Sequence, residues 1–304
     1  MTYAVIGTGA IGGYYGAKLA NAGHDVHFLL HSDYTYVALF GLHVNSPDGD
    51  IHLPQVRAYN DVSLMPKADV VIVALKTTRQ HLLPRLLPPL LHSRTLVLLI
   101  QNGIGLEPDL QQQFPGLWLA AGLAFICSAK TEPGIIRHQC YGHISIANYS
   151  CADQSVIDRL ISDFTEAGVQ TFNVPYLEAR WKKAVWNMPF NGMTVALQTQ
   201  TNLLLQNPHT RQLITEQMRE VVGAAHALGV TALGEDFIQQ MLEMTDQMVP
   251  YSPSMRLDYD FRRPMEIHYL YTRPIAIARE AGFEMPRLQM LQQQLLFIEQ
   301  QYLG

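Results

Sequence analysis

Thr2-Tyr3-Ala4-Val5-Ile6-Gly7-Thr8-Gly9-Ala10-Ile11-Gly12-Gly13 is the stretch from which the rest of the chain is read. Tyr3 to Ile6 is a short apolar run of strand formers, and Gly7, Gly9 and Gly12 follow it in GxGxxG spacing. Tyr14 to Ala22 then reads as a helix that Gly23 stops, and Asp25 to Leu30 returns as a second apolar run. A strand, a glycine turn, a helix and a strand within about thirty residues is the setting in which these glycines bind a dinucleotide. Gly7 allows the tight turn, Gly9 lets the backbone approach a pyrophosphate, and Gly12 lets helix and strand pack closely. The free N–H groups of Thr8, Ala10 and Ile11 and the positive end of the helix then face the phosphates.

Working outward, the next apolar runs support a parallel sheet covered on both faces. Ala68 to Leu75 ends at Lys76, and Thr95 to Ile100 ends at Gln101-Asn102-Gly103. Ligands in such sheets sit beyond the carboxyl ends of the strands, which makes Lys76 and Asn102 candidates. A solvated lysine and a turn-forming asparagine are the plainer readings of the same residues. Ser46-Pro47-Asp48-Gly49-Asp50 marks a hairpin between two short alternating segments. Leu117 to Ile126, Gly142 to Tyr149 and Gln170 to Val174 read as further strands, with a turn at Thr131 to Gly134 and a helix over Val156 to Ala167. At the tip of the second strand, where an adenosine ribose is read, His31 stands two residues before Asp33. An acid there favours NAD and a base favours the 2′-phosphate of NADP, so the signal is mixed.

Past Pro175 the chain turns helical, with breaks near Asn207-Pro208, Gly229, Val249 to Pro253 and Gly282. The fold expected is an α/β Rossmann-like doubly wound sheet over residues 1–175, followed by an all-helical domain over 176–304. Glu178 to Leu197 is apolar around most of its circumference. Lys183, Asn187, Asn191 and Thr194 fall in one narrow polar stripe, while Lys182 lies off it. Polar groups on a buried helix need partners, and a ligand-facing stripe supplies them. A thin solvent face is the alternative. Pro189 sits mid-helix and should kink it. Further on, Ser254 and Asp258 can share a helix face. Pro264 and Glu266 read as a first-turn proline with an acid in the same turn.

Composition narrows the function classes. The 304 residues are 48% hydrophobic and 15% charged, enough for a large core and unlike a disordered chain. A net charge of −5 with no basic run argues against nucleic acid, and no apolar run reaches membrane-spanning length. A glycine turn starting at residue 7 leaves no room for a signal peptide, so a cytoplasmic protein is expected. Cys127, Cys140 and Cys151 fit neither a disulfide framework nor a zinc pattern, and no metal is expected.

Taken in order, these pieces resemble the ketopantoate reductase (2-dehydropantoate 2-reductase) family over nearly the whole length. The resemblance rests on GTGAIGG at Gly7 to Gly13, Leu75-Lys76, Gln101 to Gly103, Glu132 to Gly134, WKKAVWNMPFN at Trp181 to Asn191, Ser254-Met255 and Glu266-Ile267. It implies NADPH-dependent reduction of the ketone of 2-dehydropantoate during pantothenate synthesis. It also implies Lys183 and Glu266 as catalytic residues and Asn102, Asn187, Asn191 and Ser254 on the substrate. Gly7, Thr8, Gly9, Ala10, Ile11, Gly12, His31, Lys76 and Asn102 are implied on the cofactor. Two positions depart from the family. His31 stands where an arginine is common, which leaves NADH open. His268 and Tyr271-Thr272 stand where Asp and Asn-Gly are usual. A reductase of another small 2-oxo acid or ketone, and a non-catalytic dinucleotide sensor, are the alternatives. The sequence does not set the oligomeric state, and a homodimer is compatible with it.

Overall fold

The computed structural model describes all 304 residues, and no helix in it is long and apolar enough to cross a membrane. The chain divides into two units. One comprises Met1–Gln101 and Leu106–Tyr176; the other comprises Leu177–Gly304 together with the four residues Asn102–Gly105.

The first unit is built on one sheet. Its strands are β1 (Thr2–Ile6), β2 (Asp25–Leu29), β3 (Leu42–Asn45), β4 (Ile51–Leu53), β5 (Arg57–Tyr59), β6 (Val70–Val73), β7 (Leu96–Leu99), β8 (Trp118–Glu132), β9 (Ile135–Asn148) and β10 (Thr171–Asn173). Their order is β4-β3-β9-β8-β7-β6-β1-β2-β5, with β10 paired to β9. The run β5-β2-β1-β6-β7-β8 is parallel throughout. Its strand order is that of a doubly wound dinucleotide fold, with the switch between β1 and β6. Around the sheet lie α1 (Ala10–Asn21), α2 (Tyr34–Phe40), α3 (Leu83–Leu86), α4 (Leu106–Gln113) and α5 (Gln154–Glu166). The strands β1, β6 and β7 are apolar and buried along nearly their whole length, as two covered faces require. Beneath β1, the buried Asp163 of α5 accepts from the Tyr3 hydroxyl at 2.6 Å and pairs with Arg159 at 2.6 Å. That network anchors α5 to the first strand.

Several expectations change in detail. The first helix begins at Ala10 rather than Tyr14, directly on the glycine turn. The polar segment after His31 folds into α2, and a short edge strand, β5, follows the expected hairpin of β3 and β4. The two strands expected over Leu117 to Ile126 and Gly142 to Tyr149 are the inner halves of a long antiparallel hairpin, β8 and β9. Its outer half is mostly polar, Ser128 to Glu132 facing Arg137 to Gln139, so it carries no long apolar run to mark it. The hairpin also sets Cys127 directly opposite Cys140, two thiols that lie far apart in an unfolded chain.

The second unit is helical: α6 (Tyr176–Ala196), α7 (Thr201–Gln206), α8 (Pro208–Ala227), α9 (Glu235–Asp246), α10 (Ser254–Asp260), α11 (Arg273–Glu280) and α12 (Pro286–Leu303). A π-helical turn over His268–Thr272 leads into α11. The core gathers Trp181, Val185, Met188 and Phe190 of α6 with Met218 and Val221 of α8 and Leu288 and Leu291 of α12. Two helices borrow their caps. The first turn of α12 is served by Glu220 of α8, whose carboxylate accepts from the N–H groups of Arg287 at 3.0 Å and Leu288 at 3.1 Å. The first turn of α10 is served by Asn191 of α6, whose Oδ1 accepts from Met255 N–H at 3.2 Å. Neither helix has a capping side chain of its own, so these contacts satisfy donors that would otherwise be orphaned.

Candidate active site

In the first unit the glycine turn has the geometry its spacing implies. Gly7 has φ +94°, and a Cβ there would lie 2.6 Å from the Leu75 nitrogen and 2.8 Å from the Ala74 carbonyl carbon. A Cβ at Gly12 would meet the Gly7 oxygen at 2.4 Å. Both glycines are therefore required by packing at the β1–β6 switch. Gly9 differs: a Cβ there would meet nothing within 4 Å. It stands at the N-cap of α1, where no side chain caps the helix and no acid lies in the first turn. Open space in front of an uncapped helix N-terminus fits a pyrophosphate. The turn is held from behind by Thr8, whose hydroxyl donates to Leu29 O at 2.9 Å.

At the tip of β2 the mixed signal separates. Asp33 is buried, and its carboxylate takes Lys130 Nζ at 2.7 and 2.8 Å, Ser32 Oγ at 2.9 Å and Gly134 N–H at 3.3 Å. Burial alone would raise its pKa; the Lys130, Ser32 and Gly134 hydrogen bonds outweigh that and hold it below the ordinary carboxylate range. The acid is thus spent on the β8–β9 hairpin, and His31 is the exposed group. Lys76 is exposed at the exit of β6. Next to it, Gln101 donates to Leu75 O and to Gln80 Oε1, both at 2.9 Å, which ties the exits of β6 and β7 together. Gln101 lies in the quoted QNG motif, but its bracing role needs both strand ends to be seen.

The second unit assembles the other candidates. Asn102 joins it through the loop it begins: Ile104 N–H donates to Tyr269 O at 2.9 Å, and Gly103, at φ +116°, lies against the Tyr269 backbone, where a Cβ would come within 2.5 Å. Glu266, three residues before Tyr269, is 5% exposed. It stands just ahead of the helical turn that opens at Ile267, so the first-turn reading of Pro264 and Glu266 is corrected: neither residue is in the helix. Lys183 is half-buried on α6. Its pKa is brought down to about 7, by loss of hydration and then by the Arg180 charge one turn earlier, with Glu266 opposing both.

The polar stripe divides in two. Lys183 and Asn187 are partly exposed, whereas Asn191 is 4% exposed and Thr194 fully buried. Thr194 donates back to the carbonyls of Phe190 at 2.7 Å and Asn191 at 3.0 Å, so it leaves the candidate stripe and serves the helix itself. Asn191 donates to Asn187 O at 2.9 Å while capping α10, which fixes the position of Ser254, the first residue of that helix. Asp258 does not share Ser254's exposure: it is buried, with its carboxylate on Arg263 Nε at 3.0 Å. Lys182, off the stripe, is exposed and lies 5.2 Å over the Phe237 ring.

A dinucleotide turn on a doubly wound sheet, joined in one chain to a helical unit that brings a near-neutral lysine under the influence of a buried carboxylate, defines an oxidoreductase acting on CH–OH groups. The comparisons give the family. Residues 3–150 match the model of "Ketopantoate reductase PanE/ApbA", and residues 176–299 match "Ketopantoate reductase PanE/ApbA C terminal". The chain belongs to the ketopantoate reductase family. It is 46% identical over 306 residues to a 2-dehydropantoate 2-reductase of Nostoc, covering 98% of this chain and 95% of that one. The 2-dehydropantoate 2-reductase of Geobacter metallireducens superposes with a TM-score of 0.93 at 38% identity, covering 99% of both chains. A D-mandelate dehydrogenase solved with NADH and anilino(oxo)acetate shares the fold at a TM-score of 0.89, 18% identity and 99% coverage of both chains.

Proposed function

We propose that this protein reduces the ketone of 2-dehydropantoate to pantoate with NADPH, with Lys183 as the general acid. The reading is carried by the placement of Lys183 and Asn187 as the partly exposed polar groups of the otherwise buried helix α6, where loss of hydration and then the Arg180 charge bring the lysine down to about 7 and the buried Glu266 opposes them. The 46% identity to the Nostoc 2-dehydropantoate 2-reductase supports 2-dehydropantoate as the substrate.

Residues 1–175 form the proposed dinucleotide-binding part and residues 176–304 the proposed substrate and catalytic part. Gly7, Thr8, Gly9, Ala10, Ile11 and Gly12 would cradle the pyrophosphate, His31 would meet the 2′-phosphate, and Lys76 and Asn102 would lie by the nicotinamide. Bound there, the dinucleotide supplies a hydride to the ketone carbon. The oxygen left behind carries the charge of an alkoxide, and the Lys183 ammonium gives it a proton. Lysine ends the turnover neutral, and a pKa near 7 lets solvent restore the proton at little cost. Glu266 keeps the ammonium populated. Asn102, Asn187, Asn191 and Ser254 orient the substrate's oxygens; Asn191 does so partly by fixing Ser254.

A decisive assay follows consumption of NADPH with a panel of 2-oxo acids that includes 2-dehydropantoate. Turnover highest on 2-dehydropantoate is expected. Faster turnover of another oxo acid would make the protein a paralogous reductase, and none on any substrate would favour a dinucleotide sensor. A homodimer is the assembly we propose, and sedimentation of the purified protein reads it directly.

A further inference from the structure

We infer that Tyr271 is a positioning residue, which locks the segment carrying Glu266 to the turn of α6 that lies between Asn187 and Asn191. This rests on the reductase reading above, because it concerns the same lysine and glutamate.

Tyr271 is fully buried. Its hydroxyl donates to the Met188 carbonyl and lies against the backbone of Gly192, so it sits on one rung of α6. The position of the rung matters. Pro189 sits one residue into it and has no N–H to offer the Val185 carbonyl, so α6 is weakened just where Asn187 and Asn191 project. The tyrosine reinforces that break from outside. It can do so because residue 192 is a glycine: a Cβ there would lie 2.6 Å from the Tyr271 oxygen.

The other end of the strut is Glu266, five residues earlier on the same segment. Tyr271 lies within the π-helical turn His268–Thr272, which opens two residues after Glu266. The next residue, Thr272, is held by Gln292 Nε2 at 2.8 Å, which fixes the segment to α12 as well. Tyr271 and Thr272 are the positions at which the chain departs from the Asn-Gly its family resemblance implies. Both side chains are held by the scaffold, Tyr271 on α6 and Thr272 on α12. The departure bears on how the segment after Glu266 is held.

Tyr271→Phe keeps the ring and removes the hydroxyl. In this variant kcat should fall about tenfold, since small misplacements of a catalytic group cost up to about a hundredfold. NADPH affinity should stay within about twofold, because every proposed cofactor residue except Asn102 lies on the first unit. The alkaline limb of kcat should move to lower pH as Glu266 loosens from Lys183; the charges felt at that lysine are Arg180 on its own helix and Glu266. Gly192→Ala drives a methyl group at the same hydroxyl and, as closely, at the buried Leu291 side chain, so it should lower the melting temperature and also move the pH limb in the same direction with the tyrosine intact. A readout that needs no substrate runs alongside: amide exchange in 186–193 and 265–272 should rise together in Tyr271→Phe and stay unchanged in α8. Unchanged exchange with an unmoved pH limb in either folded variant overturns the inference. If the wild type reduces no oxo acid while exchange behaves as expected, the reductase reading fails and the strut stands.

Discussion

The Asp33 carboxylate closes on the Lys130 ammonium at 2.7 Å, across 97 residues of sequence. This one contact decides what the tip of β2 can offer a ribose. An acid free at that point would favour NADH; one bound by a lysine, a serine and a backbone N–H does not. NADPH should therefore bind more tightly than NADH, with a modest margin that widens at lower pH, where a histidine carries charge. Asp33→Ala should leave NADH affinity within about twofold while costing about 2 kcal/mol of stability from the lost charged hydrogen bonds. Paired titrations of both dinucleotides at pH 6 and pH 8 check this. Equal affinities at pH 6 would remove His31 from the site.

The three glycines of the turn should respond differently. Gly9→Val fills open space, so the protein should fold normally and lose dinucleotide binding by at least about a hundredfold. Gly7→Ala and Gly12→Ala drive a methyl group into backbone atoms, and both should lower the melting temperature as well. Calorimetric titration and thermal melts separate the two classes.

Lys183→Ala should lose about 10²- to 10⁴-fold in kcat, the usual contribution of a positioned acid, yet keep its NADPH affinity. Lys182→Ala loses the same charge from an exposed position over Phe237 and should change kcat by less than about twofold. The reverse pattern would mean that the wrong face of α6 has been assigned to catalysis.

With Lys183 as the proposed general acid, kcat should fall as pH rises through about 7. Glu266 raises that value. Glu266→Gln removes the influence, and the limb should move to lower pH with a drop in rate at neutrality. Rate profiles for the wild type and the variant between pH 5 and 9 test the sign; a limb that moves up would contradict the pairing.

Glu220 offers a test of stability alone. It accepts from two N–H groups at the start of α12 and pairs with Arg287 at 3.2 Å. Glu220→Ala should cost about 2 to 3 kcal/mol in urea unfolding, from charge-assisted hydrogen bonds at a helix N-terminus. Dinucleotide affinity of the folded variant should be unaffected.

What could be read from the sequence was whatever local chemistry fixes. The Ile6-to-Gly13 turn, the helix breaks at Pro208, Gly229 and Gly282, and the lysine on α6 all announce themselves within a few residues. The outer half of the β8–β9 hairpin does not, because its residues are mostly polar and form no long apolar run. Thr194 was misplaced for a related reason. A helical wheel gives its angle but cannot tell whether its hydroxyl turns outward or back to Phe190 O. The Asp33–Lys130, Asn191–Met255 and Tyr271–Met188 contacts join positions 64 or more apart, and no local pattern encodes such pairings.

The loop Asn102–Gly105 has a practical consequence. Ile104 is 4% exposed in the core of the helical unit, and its N–H is bonded to Tyr269. The helical unit is therefore not a continuous piece of gene. A fragment cloned from residue 177 onward would be born with a hole where Ile104 belongs and without the Ile104 N–H that the Tyr269 carbonyl accepts, three residues past Glu266. Swapping this unit between relatives to exchange substrate preference would need a four-residue graft at 102–105 as well, or the transplanted helices would close on a foreign plug.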